Sequence, residues 1–346
     1  MESPAPANHA VSTALPGCAL LVMLTLPGIA SASADDALRV CLELQGKAPS
    51  EQVLECYNRA AQQQLERSDA EKHPAPPAKT YTRSLAEQWA PSNEGLRMYK
   101  QIYYLFFSHS SNPNNTPTSP NANNQVPPSY ALDKDEMKFQ ISVKGHMMGE
   151  DRTTLWFGYS QLSFWQFYDW EHSQPFRENN FEPELILSHR PQDWSPAPGW
   201  STAFINTGVV HQSNGQVLPR SRGWNRLYVQ AGLERDFGEQ RKLVMLPRLW
   251  KRLGGGGIDD DNPDIEHYLG HGDLELRYHH QDKAVLSALL RIRSVQLDLA
   301  LSSKLVTPLL HSTNLHLQYF NGYGESLIDY NQRHHTMGIG ISMPFE

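Results

Sequence analysis

The chain has 346 residues, enough for one large domain or two small ones, and a formal net charge of -7 with no basic block, which argues against nucleic acid as a partner. Its mean hydropathy of -0.53 points to a water-soluble protein. One class escapes that reading: a membrane β-barrel alternates lipid-facing and lumen-facing residues, so its mean hydropathy stays low.

The first stretch, "TALPGCALLVMLTLPGIASASA", pairs an apolar core with the small-x-small site Ala32-Ser33-Ala34. It reads as an export signal over residues 1–34, cut after Ala34, although the preceding "MESPAPANHA" lacks Lys and Arg. Cys18 precedes the apolar core, which argues against a lipoprotein site. No later run is long and apolar enough for a membrane-spanning helix. Residues 35–95 are rich in Ala, Glu, Gln and Arg, suggest helix, and contain the Pro-rich linker "EKHPAPPAKTYTRS". They read as a periplasmic N-terminal extension. Its Cys41 and Cys56 either close a small helical hairpin as a disulfide, which an oxidising periplasm allows, or remain free buried thiols.

From residue 96 to 346 the texture changes. Twelve short alternating runs follow one another, from "LRMYKQIYYLFF" through "AFINTGVVHQS" and "NRLYVQAGL" to "TMGIGISMPF". An even count of such runs predicts an all-β fold, a twelve-stranded antiparallel transmembrane β-barrel. With the N-terminus periplasmic, the turns "HMMGED", "ERDFGEQR" and "DKA" lie inside, and longer loops at 108–135, 162–180, 250–272 and 321–335 lie outside. Two connections fit less well: 189–202 is long for a periplasmic turn, and runs nine and ten meet almost without a loop.

Alternation in the fifth run puts Ile205, Thr207, Val209, His211 and Ser213 on one face. In the sixth, Asn225 shares a face with Leu227, Val229, Ala231 and Leu233, and the opposite face carries Arg226, Tyr228 and Gln230. The apolar sets should touch lipid. A hairpin turning near Leu218 sets His211 opposite Asn225, with Cβ atoms roughly 5 Å apart. Ser213 then stands two residues along, as nucleophile to a base that Asn225 orients. A lone His-x-Ser pair is weak in a chain with 15 histidines. Polar groups crowning an apolar lipid face are costlier to keep, and a fold tolerates them where lipid is the substrate. The outer rim also gathers oxygen-bearing residues: Ser173, Gln216, Ser221 and the run Asp259, Asp260, Asp261. Such groups suit calcium, although an acidic loop is more often simply solvated.

The blocks "HQSNG", "SRGWNRLY", "DDNPDI", "SQPFRENNFEPEL" and "NGYGESLIDYN" resemble, in order, those of the outer membrane phospholipase A family over residues 95–345. The resemblance implies calcium-dependent hydrolysis of phospholipid acyl esters, with phospholipase A1 and A2 activity, in the outer membrane of a Gram-negative bacterium. It implies Ser213 as nucleophile, His211 as base, Asn225 as its orienter and Gly215 as an oxyanion donor. Calcium would be held by the Ser221 hydroxyl, the Gln216 carbonyl and, across a homodimer interface, the Ser173 carbonyl, with Asp261 near its water. Gln161 matches a residue of that interface. One departure stands in the site loop, where the family can carry Asp and this chain has Leu218. The competing readings are a non-enzymatic barrel, porin or adhesin, and an enzyme unable to keep calcium because of Leu218.

Overall fold

Residues alternating between apolar and polar bury one face of every strand, and a barrel is the closed solution that leaves no edge unpaired. The computed structural model describes residues 40–72, 83–91, 95–128, 131–192, 194–257, 259–302 and 313–344. The export signal lies outside them. The chain divides into two compact units, Met1–Lys79 and Thr80–Glu346.

In the first unit, helix α1 (Ser50–Lys72) is made of strong helix formers. A disulfide between Cys41 and Cys56 ties it to a helical turn at 40–44. Among the two readings of that cysteine pair, the bonded one is what the fold adopts.

The second unit is the barrel. Strand β1 comes in two pieces, Leu96–Met98 and Tyr103–Ser110, both paired with β2 (Asp135–Met148). The ring continues through β3 (Thr153–Trp165), β4 (Phe176–His189), β5 (Ser201–Ser213), β6 (Gly223–Asp236) and β7 (Arg241–Leu253). It then runs through β8 (Gly272–His280), β9 (Ala284–Arg291), β10 (Ser294–Ser302), β11 (Asn314–Gly322) and β12 (His334–Ser342). Each strand pairs antiparallel with the next, and β12 closes on β1, with Ser342 opposite Tyr103. The expected twelve-stranded barrel is what forms, each alternating run becoming one strand.

One end of the barrel carries short reversals at 149–152, 237–240 and 281–283. The other carries the long loops 111–134, 166–175, 214–222, 254–271 and 323–333. The two awkward connections resolve simply. Residues 194–200 turn back onto β5, the Trp200 N–H donating to Ala197 O at 3.1 Å and the Thr202 N–H to Trp194 O at 3.3 Å. Strands β9 and β10 reverse in two residues, with Arg291 opposite Ser294.

The lumen is crossed by charged side chains in mutual contact, around a cavity of about 200 Å³. Arg177 forks onto Glu136 at 2.8 and 2.9 Å and reaches Asp329 at 2.7 Å. Lys138 donates to Glu325 and Gln318, and Arg248 to Asp273. At the short-turn end, helix α2 (Leu85–Gln88) enters the lumen with its capping box at Ser84 and Glu87. Leu85 and Trp89 pack there against Trp156, Ile186, Phe204, Val244 and Leu246. The Lys144 ammonium lies 3.7 Å from the Trp89 ring centroid, a cation over a π face in place of water. Residues 83–91 therefore belong with the barrel's own compact unit, upstream of the limit at 95/96 that composition suggests.

Candidate active site

The hairpin β5–β6 carries the site. Inward residues Phe204, Asn206, Val210, Trp224, Arg226 and Tyr228 are buried, and Val209, His211, Asn225, Leu227 and Val229 are exposed on the outer wall. Leu233, expected on that same face, is buried near the β-bulge where β5 gains a residue between Thr202 and Phe204.

His211 and Asn225 are cross-strand partners, and Ser213 pairs with Gly223. His211 Nδ1 lies 2.7 Å from Asn225 Oδ1. An amide oxygen only accepts, so Nδ1 carries the proton and Nε2 keeps its lone pair. Nε2 has no protein partner among the described residues, and neither does the Ser213 hydroxyl on the same face. His211 is thus held in the tautomer whose Nε2 can take a proton, with Ser213 two residues along the strand. In the absence of substrate such hydroxyl–imidazole contacts are commonly loose.

The loop that follows is pinned from below by Asn214, whose side chain is buried. Its Oδ1 accepts from the N–H of Arg222 (2.9 Å) and of Gln216 (3.3 Å), and its Nδ2 donates to Arg220 O (2.8 Å). Gly215 has φ +63, and a Cβ there would stand 3.1 Å from the Phe181 ring, so backbone shape and space both require glycine. Arg222 is also buried. It donates to Pro219 O and Ser221 O, and across to Asn124 O in loop 111–134. Burial lowers the Arg222 pKa from its ordinary value, but the guanidinium still faces three carbonyls.

An open groove joins His211, Ser213, Gly215, Gln216, Ser221, Asn225 and Asp259, Asp260 and Asp261. Ser221 Oγ donates to Asp261 Oδ2 at 2.5 Å. Asn124 Nδ2 donates to both Ser221 O (2.9 Å) and Asp261 Oδ1 (3.1 Å), and its own Oδ1 is buried without a partner. The Ser221 hydroxyl and Asp261 carboxylate, with the carbonyls of the loop, are oxygen donors of the kind a hard cation such as calcium takes. The Ser221 hydroxyl can coordinate through a lone pair while still donating its proton to Asp261. Leu218 is 54% exposed and adds no donor. Asp260, by contrast, is already committed to Arg252 (2.7 Å) and to the Gly256 N–H (2.7 Å).

Ser173 is not part of this groove within one chain. It is exposed in loop 166–175 at φ +61. Gln161 faces outward on β3, opposite Phe181, which in turn pairs with Ser213. It sits in a polar string, accepting from Tyr159 OH (3.0 Å) and donating to Ser163 Oγ (3.0 Å), which donates to Asn179.

A model of the phospholipase A1 family matches residues 81–343. The chain belongs to that family. It is 36% identical over 253 residues to a putative phospholipase A1 of Neisseria meningitidis, covering 71% of this chain and 65% of that one. It is 37% identical over 214 residues to phospholipase A1 of Escherichia coli, covering 61% of this chain and 70% of that one. Among solved structures, E. coli outer membrane phospholipase A superposes with a TM-score of 0.61 at 32% identity, over 72% of this chain and 98% of that one. The Salmonella typhi outer membrane phospholipase dimer with bound calcium superposes at 0.63 and 29% identity, over 77% and 98%. An asparagine-to-alanine active-site mutant of the E. coli protein does so at 0.62 and 31%, over 75% and 95%. The family and the barrel together make this an outer membrane protein of a Gram-negative bacterium.

Sequence reasoning missed Asn124, Asn214 and Arg222. They act through contacts within and between loops that no periodicity records, and only their place beside "HQSNG" or inside an Asn-rich loop marks them.

Proposed function

We propose that this chain is a calcium-dependent outer membrane phospholipase that hydrolyses acyl esters of glycerophospholipids with the triad Ser213, His211 and Asn225. The bond from His211 Nδ1 to Asn225 Oδ1, on the lipid-facing wall and beside Ser213, carries this reading. Relatives named for phospholipase A1, and one whose active site contains an asparagine, support it.

Ser213 Oγ attacks the acyl carbonyl carbon as His211 Nε2 takes its proton. The tetrahedral species collapses, the ester C–O bond breaks, and His211 returns the proton to the departing glyceryl oxygen. A water, deprotonated by His211, then attacks the acyl-serine, releasing fatty acid and restoring Ser213. Asn225 keeps the ring in the useful tautomer but adds no negative charge to the imidazolium. The Gly215 N–H is the backbone donor for the oxyanion. When bound, calcium supplies positive charge near that oxygen, held by the Ser221 hydroxyl and the Gln216 carbonyl with Asp261 beside it.

The Ser173 carbonyl completes this set from a second barrel, so a homodimer is the active form, with Gln161 at the interface. The calcium-bound dimer of the Salmonella relative supports that assembly. Residues 35–95 begin on the periplasmic side. Both sn-1 and sn-2 esters are substrates, and the lysophospholipid product is one as well.

Fatty-acid release from phospholipid in detergent micelles tests the reading. Calcium should switch release on, a chelator should stop it, and both lysophospholipid regioisomers should appear transiently. Bilayer conductance without lipolysis would favour a porin instead.

A further inference from the structure

The outer wall of the barrel is nearly free of charge. Asp135, Arg235 and Arg241 face outward only at the first or last two positions of their strands. Among the described strand residues, Lys251 alone is an outward charge flanked along its own strand by outward apolar residues on both sides, Leu249 at 71% and Leu253 at 40% exposure. It has no hydrogen bond or ion pair among the described residues.

Its place is not arbitrary. Lys251 is the cross-strand partner of Leu227, and Leu253 is the partner of Asn225. The ammonium stem therefore starts one row below the His211–Asn225 pair and two strands from His211, which is about 10 Å sideways and about 7 Å down the strand axis. A lysine at such a depth extends its flexible four-carbon stem toward the water interface and keeps its charge there. Here that direction leads to the rim of the groove. The two cations inside the groove are otherwise engaged: Arg222 holds three backbone carbonyls and Arg252 holds Asp260. The groove also contains three aspartates, which repel an anion. Lys251, without a partner among the described residues, is a nearby cation free to meet one.

We infer that Lys251 binds the phosphodiester of the substrate headgroup and sets the preference for phospholipid over uncharged acyl esters. The inference rests on the phospholipase reading and adds to it the group that recognises the headgroup. A lipid whose acyl chains lie along Val209, Leu227 and Val229 presents its ester at the Ser213 level and its phosphate at the rim, within the sweep of this side chain.

The test uses the whole refolded protein in neutral, phosphate-free micelles at saturating calcium. Rates are measured on a phosphatidyl substrate and on diacylglycerol with the same chains. In Lys251→Gln the ratio of kcat/KM for phospholipid to that for diacylglycerol should fall three- to tenfold, through KM for the phospholipid, and Lys251→Arg should restore it. An unchanged ratio overturns the inference. So does a loss shared equally by both substrates that appears only when ether-linked phospholipid is added, which would mean anchoring to bystander phosphates. Wild-type protein that hydrolyses neither ester defeats the phospholipase reading, and this inference with it. Wild-type protein active on both, with Lys251→Gln unchanged in ratio, defeats this inference alone.

Discussion

His211 meets Asn225 because a strand's side chains alternate and a hairpin has a register, and both rules can be applied to letters alone. The 2.7 Å bond between them was therefore legible before any coordinates. The position of the Ser213 hydroxyl relative to Nε2 was not, because a rotamer near an open groove answers to substrate and not to the strand. The roles divide accordingly. His211→Ala removes the proposed general base and should lower kcat by about 10²- to 10⁴-fold. Asn225→Ala removes one orienting hydrogen bond and no charge, so its loss should be smaller, about tenfold, matching roughly 1.4 kcal/mol. Both variants are compared by fatty-acid release at saturating calcium. Loss of activity in Asn225→Ala equal to that in His211→Ala would show that the amide does more than orient.

Strands were legible as elements, since each of the twelve alternating runs became one, but loops were read only by length. The contact that matters there joins Asn124, in loop 111–134, to Ser221 and Asp261 in two other loops. Its partners lie 97 and 137 residues away along the chain, beyond any local pattern. Removing that amide leaves the Ser221 carbonyl and the Asp261 carboxylate to reposition, a change of about 1–3 kcal/mol. Asn124→Ala should raise the calcium concentration for half-maximal activity about tenfold or more while the folded barrel persists; an unshifted calcium titration would refute the link. Loop 254–271 makes a second prediction. Burial pushes the Asp260 carboxyl up, but the Gly256 N–H, the Arg252 guanidinium and the Asn262 N–H outweigh it and hold the carboxyl below the usual carboxylate range. A depressed pKa means stabilisation that is full above the ordinary carboxylate value and lost as pH falls through the lowered one. Protease resistance of this loop should thus exceed that of Asp260→Asn at pH 6 and match it in strong acid. A difference that persists at the acid end would contradict the assignment.

At the scale of the molecule, closure and filling of the barrel decide which surface can act. Alternation identified the two walls, yet the composition break at 95/96 hid the fact that Leu85 and Trp89 pack inside the lumen. A four-residue helix has too little length for its own periodic signal. Trp89 touches Tyr99, Trp156 and Phe204 with ring centroids 5.0–5.9 Å apart. Trp89→Ala should cost about 3–5 kcal/mol, read as a lower urea midpoint; an unchanged midpoint would mean the short-turn end needs no such filling. The His211–Asn225 pair stands on the outer wall, so the proposed chemistry belongs there, where Ser213 would meet lipid. Direct comparison of purified, refolded wild type and Ser213→Ala examines that conclusion most closely. Fatty-acid release from phospholipid micelles is measured with calcium and then with chelator, and folding is checked by heat-modifiable gel mobility. Wild type should release fatty acid only with calcium, and the folded Ser213→Ala protein should release none. Calcium-dependent release by Ser213→Ala at the wild-type rate would contradict it.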